Sequence, residues 1–164
     1  MKTVCLTTMI TVLLFFTYGL QAQTTDTKLD QMQLMKQFIG SWKYESPDGS
    51  SMIFENIPFG DAMVGNTKFI SQDTIFDQNK YLWGYDKKND KIILAEIFND
   101  TPVMEIDVIW FTSKNIVEAV LQKDISNPEN ASTKFEFKSQ DAFILPVSQN
   151  SNIVAELTWN RQKK

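Results

Sequence analysis

The sequence predicts an all-β fold: a single antiparallel up-and-down β-barrel of about eight to ten strands, with a short N-terminal helix closing one end. Three observations lead there. Apolar and polar residues alternate with period two in run after run from Trp42 to Arg161. Turn-forming residues separate these runs at short intervals. No long helical pattern intervenes, so the crossover helices of an α/β fold have no place in the chain. A long antiparallel meander has to hide its edge strands, and closure on itself hides them completely.

In chain order, residues 1–22 read first as a cleavable signal peptide. Lys2 is the only charge, the apolar run from Met9 to Phe16 follows, and Leu20-Gln21-Ala22 offers a small residue at the cut. The apolar run is shorter than the roughly 18 residues of a membrane span. Cys5 precedes that run instead of standing at the cut, against a lipid anchor. Residues 23–164 are then the barrel domain, and the expected location is secreted or periplasmic. Cleavage removes one of the 16 basic residues and the only Cys, so the mature charge is one unit more negative than −4. Without a disulfide, the core must supply the stability.

A short helix comes next, with Thr24, Thr25 and Asp26 as candidate caps and Leu29, Met32, Met35 and Phe38 on one face. Gly40 is the expected stop. Trp42 and Tyr44 then alternate with Lys43 and Glu45 before the turn Pro47-Asp48-Gly49. Tyr81, Trp83 and Tyr85 share a strand face, and Gly84 between them is a candidate bulge or close approach. After the turn Lys87-Lys88-Asn89-Asp90, the pattern continues through Ile92, Leu94, Ile106, Val108 and Trp110. Phe135 and Phe137 alternate with Lys134, Glu136 and Lys138, and Ile153, Ala155, Leu157, Trp159 and Arg161 close the chain. No internal repeat or linker divides this stretch, which reads as one domain.

Composition excludes several functions. With no His at all, a Ser/His/Asp triad, a Cys/His pair, a His-ligated haem and most zinc sites are out. An isoelectric point near 4.8 argues against nucleic acid. Asp86 to Asp90 lacks the spacing, Gly and distal Glu of a calcium loop. Neither a metal nor a cofactor is expected; a Tyr-ligated haem is the remote exception. Asn99-Asp100-Thr101 and Asn130-Ala131-Ser132 match glycosylation acceptors but read as turn residues.

Phe38-Ile39-Gly40-Ser41-Trp42-Lys43 resembles the Gly-x-Trp opening of the calycins, the superfamily of lipocalins and fatty-acid-binding proteins. Arg161, in Leu157-Thr158-Trp159-Asn160-Arg161, stands where that superfamily places a late Arg or Lys over the Trp ring. From about Leu29 to Arg161 the chain is similar to small uncharacterised secreted bacterial proteins of lipocalin-like type. The lipocalins' middle Thr-Asp-Tyr-like stretch and their disulfide cysteines are absent, which fits a shorter relative. The resemblance implies a barrel that opens at one end and holds a small apolar or amphipathic molecule. It also implies that Gly40, Trp42 and Arg161 form the structural signature of the closed end.

The Trp42–Arg161 pair has a physical reason of its own, since a guanidinium over an indole gains about 0.5–2 kcal/mol. Tyr44, Phe54, Tyr81, Trp83, Tyr85, Ile92, Leu94 and Trp110 are the candidate cavity lining, mostly apolar with a few hydroxyls as ligand pockets are. Glu105 and Asp107 share one face, with Met104, Ile106, Val108 and Trp110 on the other. Alternation assigns the acids to a solvated outer face; a carboxylate inside the cavity, Glu96 included, is the alternative and would be a candidate acid or base. Three functions stay open: a binder of a small hydrophobic or amphipathic ligand, a barrel isomerase, cyclase or lyase using a carboxylate or Tyr, and a filled barrel acting through its surface. The expected partner is a small molecule, not nucleic acid. No stable membrane span remains after signal cleavage, and the protein is expected to be a monomer or weak dimer.

Overall fold

In the structure, a computed structural model, the described residues are 28–163 apart from 73, 102, 127–131, 150 and 151. The signal segment expected over residues 1–22 lies outside them. Helix α1 (Gln31–Met35) runs into a 3-10 turn (Lys36–Phe38). Ten strands follow: β1 (Gly40–Glu45), β2 (Ser51–Phe59), β3 (Ala62–Ser71), β4 (Thr74–Asp86), β5 (Lys91–Phe98), β6 (Met104–Phe111), β7 (Ile116–Leu121), β8 (Thr133–Ser139), β9 (Ala142–Gln149) and β10 (Asn152–Arg161). Each pairs antiparallel with its sequence neighbours, and β1 pairs with β10, so the sheet is a closed up-and-down barrel. The last junction is short, with only Trp42 opposite Arg161 and Lys43 opposite Asn160.

The helix starts later than its sequence suggested. Asp30 is the cap, its carboxylate accepting from the Gln33 N–H at 2.9 Å. The inward face is Gln31, Met35 and Phe38, at helical spacing. Gln31 docks the helix: its amide donates to the Phe111 carbonyl at 2.9 Å and accepts from the Phe111 N–H at 2.7 Å, continuing the β6 ladder with a side chain. Lys28 adds an ion pair to Asp90 in the β4–β5 turn at 2.9 Å. The helix therefore closes the end where β4, β6 and β8 finish.

Phe38 is the hub of that floor. Its ring stacks on Trp83 with centroids 5.0 Å apart and meets Phe137 edge-on at 5.1 Å. Its carbonyl accepts from both the Trp42 indole and the Asn56 amide, each at 3.1 Å. Arg161 covers the carbonyls on either side, Gln37 at 3.0 Å and Ile39 at closer range. Three carbonyls left open by the end of the helical turn are thus all satisfied. The Arg161 guanidinium carbon lies 4.1 Å from the Trp42 ring centroid, so one side chain caps the turn, covers the indole and closes the β1–β10 seam. Gly40 makes room for it. It has φ +120°, and a Cβ there would stand 2.7 Å from Arg161 Nη1.

Gly84, a candidate bulge, pairs in regular register with Ile93, and a Cβ there would meet nothing within 4 Å. The register breaks fall elsewhere, between Thr67 and Lys68 opposite β4, between Ile153 and Ala155, and between Phe137 and Ser139. The close approach is at Gly65, where a Cβ would collide with Asn56 Oδ1 and the Glu55 carbonyl oxygen. Asn56 is fully buried and also accepts from the Trp83 indole at 3.0 Å, so this glycine keeps the floor's central amide in place.

Candidate functional site

Inside the barrel, above the Phe38 floor, is a cavity of about 500 Å³. The inward positions of the strands set its walls: Phe54 of β2, Tyr81 and Trp83 of β4, Leu94 of β5, Ile109 of β6, Phe143 of β9 and Trp159 of β10. Gln78, Phe98, Leu121 and Thr133, all at strand ends remote from the helix or close to them, line its outer part. The volume is within the range of small-molecule sites. A larger depression of about 660 Å³ is lined by residues of β1 to β4 and the segment before them, among them Glu55, Ile57, Val64, Asn66 and Lys80, and Tyr81 is its one aromatic residue, so it lacks the aromatic walls of the interior cavity.

The wall is not uniformly apolar. Thr67, Asn79, Tyr81, Glu96 and Asp107 all line the cavity, on four adjacent strands. Register brings them together, since Thr67 pairs with Asn79 and Tyr81 with Glu96. The Tyr81 and Thr67 hydroxyls share a short hydrogen bond, and Asn79 donates to Glu96 at similarly close range. The Asn79 oxygen in turn accepts from the Thr67 backbone N–H at 3.1 Å. The β3–β4 bulge leaves the Thr67 N–H free for a side chain, and so allows Asn79 to bridge the two strands.

Burial pushes the Glu96 carboxyl up from its ordinary value near 4.5 to about 7, and the nearby Asp107 charge adds to the effect. Asp107 is raised as well, first by burial and then by Glu105. Burial also raises the Tyr81 phenol, which stays neutral at any physiological pH. None of the ion pairs among the described residues involves Glu96 or Asp107. A carboxylate poised near neutrality in an aromatic cavity can bind a cation, donate a hydrogen bond or move a proton.

The candidate lining residues separate into two groups. Phe54, Tyr81, Trp83 and Leu94 line the cavity. Tyr44, Tyr85, Ile92 and Trp110 do not. Tyr44 packs on Trp159 with centroids 6.0 Å apart, and Ile92 is buried in the core below. Tyr85, near the helix end, donates to Asp90 at 2.5 Å. Trp110 stands on the outer wall, with Lys91 Nζ 3.9 Å from its ring centroid. The stretch Val108-Ile109-Trp110-Phe111 is apolar at every position, so its phase is ambiguous in sequence; Gln31 binding Phe111 sets it in the fold. The same phase turns Asp107 inward, against the solvated face that alternation suggested. Glu96 is inward too, while Glu105 is exposed.

Thr67, Asn79, Phe98, Ile109, Phe143 and Trp159 were not singled out as lining residues. For Trp159 the alternation carried the signal, whereas Ile109 and Phe143 stand in runs that are apolar at every position, Val108 to Phe111 and Ala142 to Val147. For Thr67 and Asn79 the alternation did not carry it either, because the bulge that joins them leaves no mark in composition.

Compared with known proteins, the chain matches no protein family, no curated protein and no solved structure. The geometry of the barrel therefore carries the functional argument. Among the described residues, no helix is long and apolar enough to cross a membrane.

Proposed function

We propose that this protein is a secreted, calycin-like barrel that reversibly binds a small hydrophobic or amphipathic molecule in its interior. The observation that carries the reading is the cavity of about 500 Å³, walled by Phe54, Trp83, Phe143 and Trp159 and set with a compact polar patch. A filled barrel has no such space, whereas binding sites combine apolar walls with a few placed polar groups. The Gly40–Trp42–Arg161 arrangement at the closed end supports the calycin-like assignment, since its parts meet as that resemblance implies.

The test uses N-phenyl-1-naphthylamine, a neutral apolar fluorophore that brightens when it leaves water. Wild type is expected to bind it with micromolar affinity. Ala119→Phe and Leu94→Trp, which fill the cavity from two walls, should lose most of that binding while keeping the far-ultraviolet dichroism of the barrel. Equal binding by the filled variants would place the fluorophore outside the cavity, and absence of binding by wild type would overturn the reading.

A second reading, favoured by the Glu96 carboxyl near 7 beside Asn79, is an isomerase, cyclase or lyase with Glu96 as acid or base. Glu96→Gln separates the two. It abolishes turnover in an enzyme and leaves affinity for a neutral apolar ligand unchanged in a binder.

A further inference from the structure

We propose that the natural occupant of the cavity is an amphipathic amine, a protonated nitrogen on an apolar body, held with its cation between Glu96 and Asp107. This deepens the binding reading and rests on it. The cavity's polarity has one sign: Glu96 and Asp107 face it, and no Lys or Arg lines it among the described residues. A fatty acid or other anion would enter against two carboxylates with no cation to receive it.

The two acids are also incompletely matched inside the protein. Glu96 accepts one hydrogen bond, from Asn79 of β4. Asp107 accepts none among the described residues, and what acts on it is burial and the neighbouring Glu105. The groups that face Glu96 are Asn79 and Tyr81 from β4 and Asp107 and Glu105 from β6, so none supplies positive charge. Half-buried carboxylates without a cation are held at a cost that a bound cation relieves. A metal ion fits less well: among the described residues, no three Asp, Glu, Cys or His side chains come together to hold one. The aromatic rings of Phe54, Tyr81 and Trp83 beside the acids add faces on which an ammonium group is attracted.

The wall opposite the acids carries Trp159. Trp159 lines the cavity and is 6% exposed, yet its indole N–H has no hydrogen-bond partner. The other two interior tryptophans both donate, Trp42 to the Phe38 carbonyl and Trp83 to Asn56. In the ring of strands, β10 is five steps from β5 in either direction, so Trp159 and Glu96 stand on opposite walls. An occupant that places its cation at Glu96 and spans the cavity reaches the Trp159 wall.

The experiment is calorimetric titration of decylamine, decanol and decanoate, each below its aggregation limit, into wild type, Glu96→Gln, Asp107→Asn and the double variant. Wild type is expected to bind decylamine at least tenfold more tightly than decanol, with decanoate weakest. The double variant should bring amine and alcohol within about threefold of each other. Between pH 6 and 8 the wild-type affinity for the amine should rise up to about tenfold as Glu96 ionises, while the amine, like a Lys side chain, stays protonated. Decanol affinity should not rise. If decanol or decanoate binds as well as decylamine, or if the double variant keeps the amine preference, the amine proposal is overturned and the binding barrel stands. If none of the three ligands binds wild type, the binding reading falls and the amine proposal with it.

Discussion

Replacing Glu96 by Gln should make the protein more stable at pH 8 than wild type, and the advantage should vanish near pH 5. The folded state holds the Glu96 proton more tightly than the unfolded chain does, with a carboxyl raised from near 4.5 to about 7. The sign follows from linkage. Stability is fully present below the unfolded value and is lost as pH climbs through the folded one. The whole shift corresponds to about 3 kcal/mol at most. Glu96 stands partly in contact with cavity water, which reduces the expected loss to about 1–2 kcal/mol. Gln keeps an oxygen for the Asn79 amide and cannot ionise, so its stability should be flatter across the window. At about 2–4 °C per kcal/mol for a chain of this size, the variant should melt about 2–8 °C higher at pH 8. The chain has no His to titrate across this range, and Asp107, which burial and Glu105 also raise, is present in both proteins. Urea unfolding followed by tryptophan fluorescence at pH 5, 6, 7 and 8 reads the difference directly. Parallel stability profiles for the two proteins would refute the inward, proton-holding Glu96.

Arg161→Ala removes the cover of the Trp42 ring and the donors to the Gln37, Ile39 and Gln140 carbonyls, and should cost about 2–4 kcal/mol in urea unfolding. Arg161→Lys should recover at most half, because one ammonium cannot reach all three carbonyls. Gly65→Ala should cost about 2–4 kcal/mol by driving a methyl into Asn56 and the Glu55 carbonyl, whereas Gly84→Ala, with open space around it, should change the same measurement by less than about 0.5 kcal/mol. Trp110→Ala should leave N-phenyl-1-naphthylamine affinity within about twofold of wild type, while Trp83→Leu should weaken it at least fivefold, since Trp83 lines the cavity and Trp110 does not.

How far the sequence could be read depended on whether a residue's position was fixed by its own strand or by another part of the chain. Tyr81 and Trp83 recur at alternate positions with Tyr85 next in the series, and their common face could be read directly; Leu94 stands in the apolar run Ile92 to Ala95, and its pairing with Trp83 puts it on that face. Closure of the sheet followed from the absence of anything to cover its edges. The acids were legible as residues but not as a site. In β6 the run from Val108 to Phe111 is apolar on both faces, so pattern alone leaves two phases, one with Asp107 in solvent and one with Asp107 in the cavity. What selects the second lies 80 positions away, where Gln31 spends both ends of its amide on the Phe111 backbone. Turning Phe111 inward turns Ile109 and Asp107 inward with it and leaves Trp110 outside under Lys91. The helix at the closed end thus contributes more than a plug. By fixing one residue of β6 it fixes the polarity of the cavity above, and a Gln31→Leu variant that seals the floor equally well would release that register. If the cavity's charge is what recognises the ligand, such a variant should lose amine preference before it loses the fold.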